Sequence, residues 1–413
     1  MKPGSLGPSY ARLFTAYVIS NVGNGVLIAA LPLLATSITR NPLAISGLTA
    51  AAGLPWILVG PLSGAIVDRV DRRRAMALAE FARAAVVALA ALFVLGGGES
   101  LLVLYLVLIL IGIGETIFDP IGLAMVPNLV TPSRLDRANS LLYGSQILAQ
   151  RFLGPPLGAW LFALAVWAPL GIDALSFLVS ALVVLALPRG HSPTDSEWTI
   201  AGLSADILEG VRWIWRDRAL RAFLLGDGAL HFTTAAATSV LVLVTQDRYG
   251  LGALGFGLTL GALAGGYFLG SFAAPAMVSR FPRAEVCVGS VVGAGGGFLL
   301  VALSDVALLG GLGLAVVGFS AFQLDIVSIT YRQTAVPDRI RGRVIAVFLF
   351  VVHGAVPIGA VFGGLVATLT DISYTYVASA LVAAAVAPYL RRALKDAELD
   401  PGSGGRASEG SHG

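Results

Sequence analysis

Gly60-Pro-Leu-Ser-Gly64-Ala-Ile-Val-Asp68-Arg69-Val-Asp71-Arg72-Arg73-Arg74 is a dense knot of charge entered through two glycines. Residues 43–67 and 75–97 flank it, and each stretch is long and apolar enough to cross a bilayer. About 20 apolar residues, rising about 1.5 Å each, match a hydrocarbon core of about 30 Å. The knot is therefore a very short loop at a membrane face, and its glycines leave room for another segment to pack against it.

Working outward, the composition agrees. The 413 residues are 56% hydrophobic and only 12% charged, where a soluble domain carries about 25% charged residues. Twelve apolar spans can be drawn, at 10–38, 43–67, 75–97, 100–126, 137–164, 168–188, 219–246, 252–279, 284–304, 306–330, 341–369 and 372–390. The runs lack the two-residue alternation of a membrane β-barrel, so the expected fold is an all-α integral membrane protein of twelve helices. The 50 glycines and 20 prolines suit bilayer helices, where small residues let backbones approach. The first span carries Asn21, Asn24 and Pro32, which a cleaved signal's apolar region would not need, so it is expected to be retained.

Arginine placement sets the orientation. Lys2, Arg12, the Asp68–Arg74 loop, Arg134, Arg137, the stretch from Arg189 to Arg221, Arg280, Arg283, Arg339 to Arg343, Arg391, Arg392 and Lys395 share one side, opposite Arg40 and Arg248. The positive-inside rule puts both termini in the cytoplasm. The net charge of +3 follows from this asymmetry and is not a nucleic-acid-binding signal.

The longest polar interval divides the chain into an N-terminal six-helix bundle at 1–188, a cytoplasmic linker at 189–218, a C-terminal six-helix bundle at 219–392 and a disordered tail at 393–413. In the linker, Ile200, Leu203, Ile207, Val211, Ile214 and Trp215 stand at helical spacing opposite Asp206, Glu209, Arg212 and Arg216. This predicts an amphipathic helix on the inner membrane surface. The halves echo one another: Thr131-Pro-Ser-Arg134 corresponds to Val336-Pro-Asp-Arg339, and the same offset lays Gly154-Pro155-Pro-Leu-Gly158 over Gly359-Ala-Val-Phe-Gly363. Six-plus-six parallel repeats are the design of rocking carriers with a ligand site between the halves.

At this point the residues resemble a family. Gly64-x-x-x-Asp68-Arg69-x-Asp71-Arg72-Arg73 is similar to the signature loop between the second and third helices of the major facilitator superfamily. Ile19-Ser-Asn-Val-Gly-Asn-Gly25, Phe118-Asp-Pro120, Arg137-Ala-Asn-Ser-Leu141 and Gly154-Pro155-Pro-Leu-Gly158 resemble its twelve-span multidrug, macrolide and siderophore exporters. The resemblance implies a proton-driven, alternating-access carrier of two pseudo-symmetric bundles. It also implies that the Asp and Arg residues of the loop lock the cytoplasmic side. On physical grounds Arg69, Arg72 and Arg73 are expected to pair with acids or helix-end carbonyls of the other half, and Gly154, Pro155 and Gly158 form a helix-packing motif. The chain departs from the pattern at Asn24, where family members often carry an acid, and an amide releases no proton.

Polar residues inside a bilayer are costly and point to function. Glu115 and Asp119 stand one turn apart in the fourth span, and Arg151 lies in the fifth at the depth of Glu115. A Glu115–Arg151 pair is expected, either as a tie between helices or as part of a proton path. Gln146 and Gln150 offer amides to a ligand or to a neighbouring helix. Asp227 and His231, one turn apart in the seventh span, form a possible protonation site. His353 stands alone in the eleventh span, and Asp325 is placed to pair with Arg332 or Arg339.

The sequence excludes other chemistry. Lysine occurs only at positions 2 and 395 and no phosphate-binding glycine loop is present, so ATP-driven pumping is not expected. The four histidines and the single cysteine, Cys287, give no disulfide and no metal cluster. The reading is a monomeric plasma-membrane transporter, not an enzyme, that exports small amphipathic molecules such as drugs, macrolides or siderophores. Its energy source is the proton gradient, and it needs no cofactor. A carrier of one defined metabolite and a sensor that binds without transporting remain alternatives.

Overall fold

The computed structural model describes residues 6–60, 71–188 and 200–395. Gly64, Asp68 and Arg69 of the charged loop, the first part of the linker and the tail expected at 393–413, from residue 396 on, lie outside the described residues.

Among the described residues the chain is helical, without strands. The helices are α1 (Pro8–Ile38), α2 (Pro42–Leu58), α3 (Arg72–Leu95), α4 (Leu101–Leu129), α5 (Pro132–Leu164), α6 (Ala168–Leu185) and α7 (Ile200–Arg216). They are followed by α8 (Arg218–Ser239 bent by 42° into Leu241–Arg248), α9 (Ala253–Arg280), α10 (Arg283–Leu303), α11 (Ala307–Ala335), α12 (Asp338–Leu369) and α13 (Ile372–Lys395). Ten are long and apolar enough to span a membrane, and bent α8 makes eleven. The shorter apolar α2, which runs toward undescribed residues, completes the twelve segments expected from sequence. Large side chains such as Leu78, Leu89 and Leu308 stay exposed on these helices, as lipid-facing positions must.

Local chemistry sets the ends. Asn41 caps α2 by accepting from the Leu43 and Ala44 amides at 2.9 and 3.2 Å, with Pro42 preset at the first helical position. Asp71 caps α3, its Oδ1 accepting from the Arg74 amide at 3.1 Å.

Compact packing divides the chain into two units. The first comprises Met1–Trp198, Thr238–Ala262 and Ala360–Ile372, and the second Thr199–Ala237, Leu263–Gly359 and Ser373–Gly413. In the first unit α1 packs on α5 and α6, α3 on α4 and α6, and α2 on α4. The α1–α5 crossing is backbone on backbone: a Cβ on Gly154 would overlap Gly25, and one on Gly158 would overlap the Val26 carbonyl. Such closeness substitutes for the hydrophobic drive that lipid cannot supply between helices. Within α5, residues Leu148–Leu153 form a wider π-type turn directly before Gly154-Pro155-Pro156. The two prolines offer no amide hydrogen to the preceding turn, and the wider turn accommodates that loss.

At the end of the first unit that carries Ile38, segments from the first and last six spans meet. Arg40 Nη1 donates to Gln246 Oε1 at 2.6 Å and Asp247 Oδ1 at 3.1 Å. The Leu43 amide donates to Thr368 Oγ1 at 3.1 Å, and Gly364 packs directly against Ser46.

In the second unit the same device recurs. Gly266 and Gly318 bring α9 and α11 into backbone contact, and Gly297 and Gly313 do so for α10 and α11. The linker helix α7 lies against α12, with Gly210 on the Arg343 backbone and Glu209 paired to Arg343 and, at 3.5 Å, to Arg339. Glu209, which the sequence pattern places on the polar face, pairs with α12 while its side chain stays 39% exposed, and Trp215, counted with the apolar face, is exposed.

Substituting Gly158→Leu forces α5 off α1, and overpacking of this kind costs about 1–3 kcal/mol. The expected result is a lowered thermal midpoint for detergent-solubilised protein, with Gly144→Leu, which has open space around it, unchanged.

Candidate functional site

The polar centre of the first unit is built around an arginine on α3. Arg83 and Glu80 are completely buried and one turn apart, with Arg83 Nη1 donating to Glu80 Oε1 at 2.6 Å. Nη1 also donates to Ser20 Oγ at 3.2 Å, and Nη2 donates to Asn24 Oδ1, both on α1. The guanidinium lies over the Phe177 ring of α6, 3.9 Å from its centroid. Ion, hydrogen bonds and aromatic face together replace the hydration that the hydrocarbon region withholds.

Asn24 extends this network toward α4. Its Nδ2 donates to Glu115 Oε1 at 3.4 Å, and Gln150 Nε2 of α5 donates to the same oxygen at 3.0 Å. The amide accepts from the guanidinium through its oxygen and donates to the Glu115 carboxylate through its nitrogen, a bridging role that a carboxylate at position 24 could not fill. One turn further along α4, Asp119 is buried and accepts from Gln146 Nε2 at 3.1 Å, with Tyr17 beside it. Tyr17 in turn stacks on Phe118 at 5.7 Å between centroids.

Glu115, Asn24 and Gln150 line one wall of a cavity of about 320 Å³. Its remaining lining is mostly apolar, with Leu27, Leu31, Leu108, Ile111, Phe256 and Leu260 among the contributors. An apolar chamber with a few convergent polar groups is the form of a small-molecule site.

The expected Glu115–Arg151 pair is not what the structure brings together. The carboxylate meets Asn24 and Gln150, Arg151 stands on an exposed face of the π-type turn, and the buried cation is Arg83. Glu80, Arg83 and Asp173 were missed in the sequence reading, although Glu80 and Arg83 carry a readable signal: opposite charges three apart in an apolar span.

In the second unit the Asp227 carboxylate accepts from Ser328 Oγ at 2.6 Å and lies 3.7 Å from Arg332 Nη1. Arg332 stacks over Phe348 at 4.1 Å. Instead of a side-chain pair with Asp227, His231 places Nδ1 2.9 Å from the Asp227 backbone carbonyl. His353 Nδ1 is likewise 2.9 Å from the Leu349 carbonyl one turn back. Asp325 is half-buried and acts electrostatically on both Asp227 and Arg332.

Two arginines of the charged loop's described part bond to carbonyls of the first six spans. Arg72 Nη1 donates to the Ala124 carbonyl at 3.0 Å, and Arg73 Nη1 to the Leu187 carbonyl at 3.1 Å. These carbonyls belong to α4 and to the turn after α6, within the first six spans, while Asp71 is occupied as the α3 cap. Among the described residues no group of three or more His, Cys, Asp or Glu is placed to hold a metal.

Comparison with known proteins gives the same architecture. The family described as transmembrane secretion effector matches residues 7–404. The multidrug efflux pump Tap of Mycolicibacterium fortuitum is 29% identical over 91% of this chain and 93% of its own length. The pump of the same name in Mycobacterium tuberculosis is 26% identical over 97% of each chain. In fold, the chain is similar to the nucleoside transporter NupG, with a TM-score of 0.73 and 16% identity over 94% of this chain and 100% of that one. It is also similar to a bacterial homologue of the iron transporter ferroportin in an inward-facing state, with a TM-score of 0.72 and 19% identity over 94% and 99%. The match over residues 7–404 leads to one conclusion: the chain belongs to the transmembrane secretion effector family of the major facilitator superfamily, whose members are membrane transporters rather than enzymes.

Proposed function

We propose that the protein exports small amphipathic molecules across the plasma membrane in exchange for protons, by alternating access. The observation that carries this reading is the cavity whose apolar lining is interrupted by Glu115, Asn24 and Gln150 and tied through Asn24 to the buried Arg83–Glu80 pair. A carboxyl that both lines the cavity and joins a buried charge network lets ligand and proton compete for one electrostatic site. The names of the mycobacterial relatives support efflux as the direction.

On this reading the protein works as a monomer in the bilayer, with both termini in the cytoplasm, as the arginine distribution argues. It needs no cofactor and is driven by the proton gradient. Arg40 and Asp247 then stand at the outer end, where the contacts within the first unit form a closed gate. The Asp68–Arg73 loop serves as the inner gate. Arg72 and Arg73 rest on carbonyls of their own half beside it.

Two measurements test the reading. Cells lacking or overproducing the protein, screened against a panel of toxic amphipaths, are expected to differ in tolerance, and inside-out vesicles with an imposed pH gradient are expected to accumulate the compounds that score. Accumulation unaffected by collapse of the gradient contradicts proton coupling. Glu115→Gln is expected to reduce gradient-driven accumulation by about tenfold or more, equivalent to about 1.4 kcal/mol, at unchanged protein level. Wild-type accumulation in that variant contradicts the role given to Glu115. Reversing the outer pair with Arg40→Asp replaces attraction by repulsion at Asp247, and the expected outcome is slower turnover that Asp247→Arg restores in the double variant.

A further inference from the structure

We propose that Asp173 is the proton-carrying carboxyl of this transporter, and that Arg83 is the group that displaces its proton. This rests on the proton-coupled reading above and assigns the coupling to a residue outside the cavity wall.

Asp173 sits on α6 with no solvent exposure. Its Oδ1 accepts from Ser176 Oγ on the same helix at 3.2 Å, while its Oδ2 has no hydrogen-bond partner. The backbone of α1 closes over it at Gly23, where a Cβ would overlap Oδ1. Phe177 follows one turn along α6 on the same face, and the Arg83 guanidinium is stacked on that ring. Arg83 spends Nη1 and Nη2 on Glu80, Ser20 and Asn24, whereas its Nε is buried without a partner. A buried donor lacking an acceptor on α3 and a buried acceptor lacking a donor on α6 thus belong to two helices packed against each other, and Arg83 acts electrostatically on Asp173.

Counting charges shows which acid holds the proton. Among the described residues of the first unit, Glu80, Asp119 and Asp173 are buried with a single buried guanidinium, Arg83. Glu80 takes the ion pair, and Asp119 receives the Gln146 amide with neither of its oxygens among those buried without a partner. Asp173 receives one hydroxyl. A buried carboxylate with so little compensation is expensive, so Asp173 holds a proton in this conformation. The charged groups that act on it electrostatically are Arg83 and Glu80 from α3 and Glu115 from α4. Neither α1 between residues 18 and 37 nor α5 between residues 154 and 164 contributes an ionisable side chain.

The step follows from this arrangement. Arg83 keeps Nη1 on Glu80 and turns its free Nε–H to Asp173 Oδ2. The O–H bond of Asp173 breaks, the electron pair stays on the carboxylate, and the proton leaves by Glu115, the ionisable group that both acts electrostatically on Asp173 and lines the cavity. The network passes from one ionised acid beside the guanidinium to two, and re-protonation from the other side of the membrane reverses it.

The test needs no identified substrate. Spin labels at Thr39→Cys and Gly252→Cys, both in the first unit at the Arg40 end, are introduced in a Cys287→Ala background, and the distance between them is followed by double electron–electron resonance across about pH 5 to 8. The background protein is expected to shift its distance distribution with pH, and Asp173→Asn is expected to hold one distribution throughout. Asp173→Glu, which keeps a titratable group, is expected to retain the shift with a displaced midpoint. Asp173→Asn with the background's pH dependence overturns the proposal, as does an Asp173→Glu protein as unresponsive as Asp173→Asn, which marks a packing role. Distances that ignore pH in the background protein remove the proton-coupled reading itself.

Discussion

Within the hydrocarbon core no water is available to solvate a cation, so Arg83 must be surrounded by groups that do the work of a hydration shell. Four helices are committed to that task. The α1 helix supplies Ser20 and Asn24, α3 supplies Glu80, α6 supplies Phe177, and α4 yields space at Gly114, where a Cβ would stand 2.5 Å from Arg83 Cδ. The buried pair is a weak source of stability in itself, because desolvation offsets its attraction. Its consequence is positional: α1, α3, α4 and α6 share one register, and the cavity wall formed by Asn24 and Glu115 is fixed relative to it.

The same constraint explains why the polar groups are amides and hydroxyls around a few charges. Asn24 accepts from a cation and donates to an acid, and Gln146 and Gln150 donate to Asp119 and Glu115 without adding charge. The wider turn in α5 carries Gln150 beside Glu115 and leaves Arg151 on an exposed face. A second centre of similar make, an aspartate beside a hydroxyl and an arginine stacked on phenylalanine, occurs in the second unit at Asp227, Ser328, Arg332 and Phe348. Weak and exposed contacts are kept for the ends. The Arg40–Asp247 pair is more than half exposed on the arginine side, and a pair of that kind contributes about 0–1 kcal/mol, a strength compatible with repeated opening.

The fold was legible because lipid imposes span length and arginine bias, both of which survive in a single sequence. The charged loop, the twelve apolar runs and the Gly154–Gly158 motif are local patterns with one physical reading each. Partnership was less legible. Depth matching alone suggested Arg151 for Glu115, but depth does not say which way a side chain points, and the π-type turn changes the facing of residues in that part of α5. Spacing alone suggested a side-chain bond between Asp227 and His231, whereas the His231 ring meets the helix's own carbonyl. Glu80 and Arg83 went unread because a span only 24 residues long, Arg72–Leu95, remains apolar on average with two opposite charges inside it.

In the proposed cycle the cavity is reached from one side of the membrane at a time, with the contacts around Arg40 shutting the outer side. The most direct measurement of this is the accessibility of Ile28→Cys, a cavity-lining position, to a membrane-impermeant maleimide in a Cys287→Ala background. A short thiol cross-link between Arg40→Cys and Asp247→Cys is installed beforehand, with the reagent supplied from either face of oriented vesicles. The account predicts that the cross-link abolishes labelling from the outer face and preserves it from the cytoplasmic face. Labelling from the outer face that persists with the cross-link in place would contradict it.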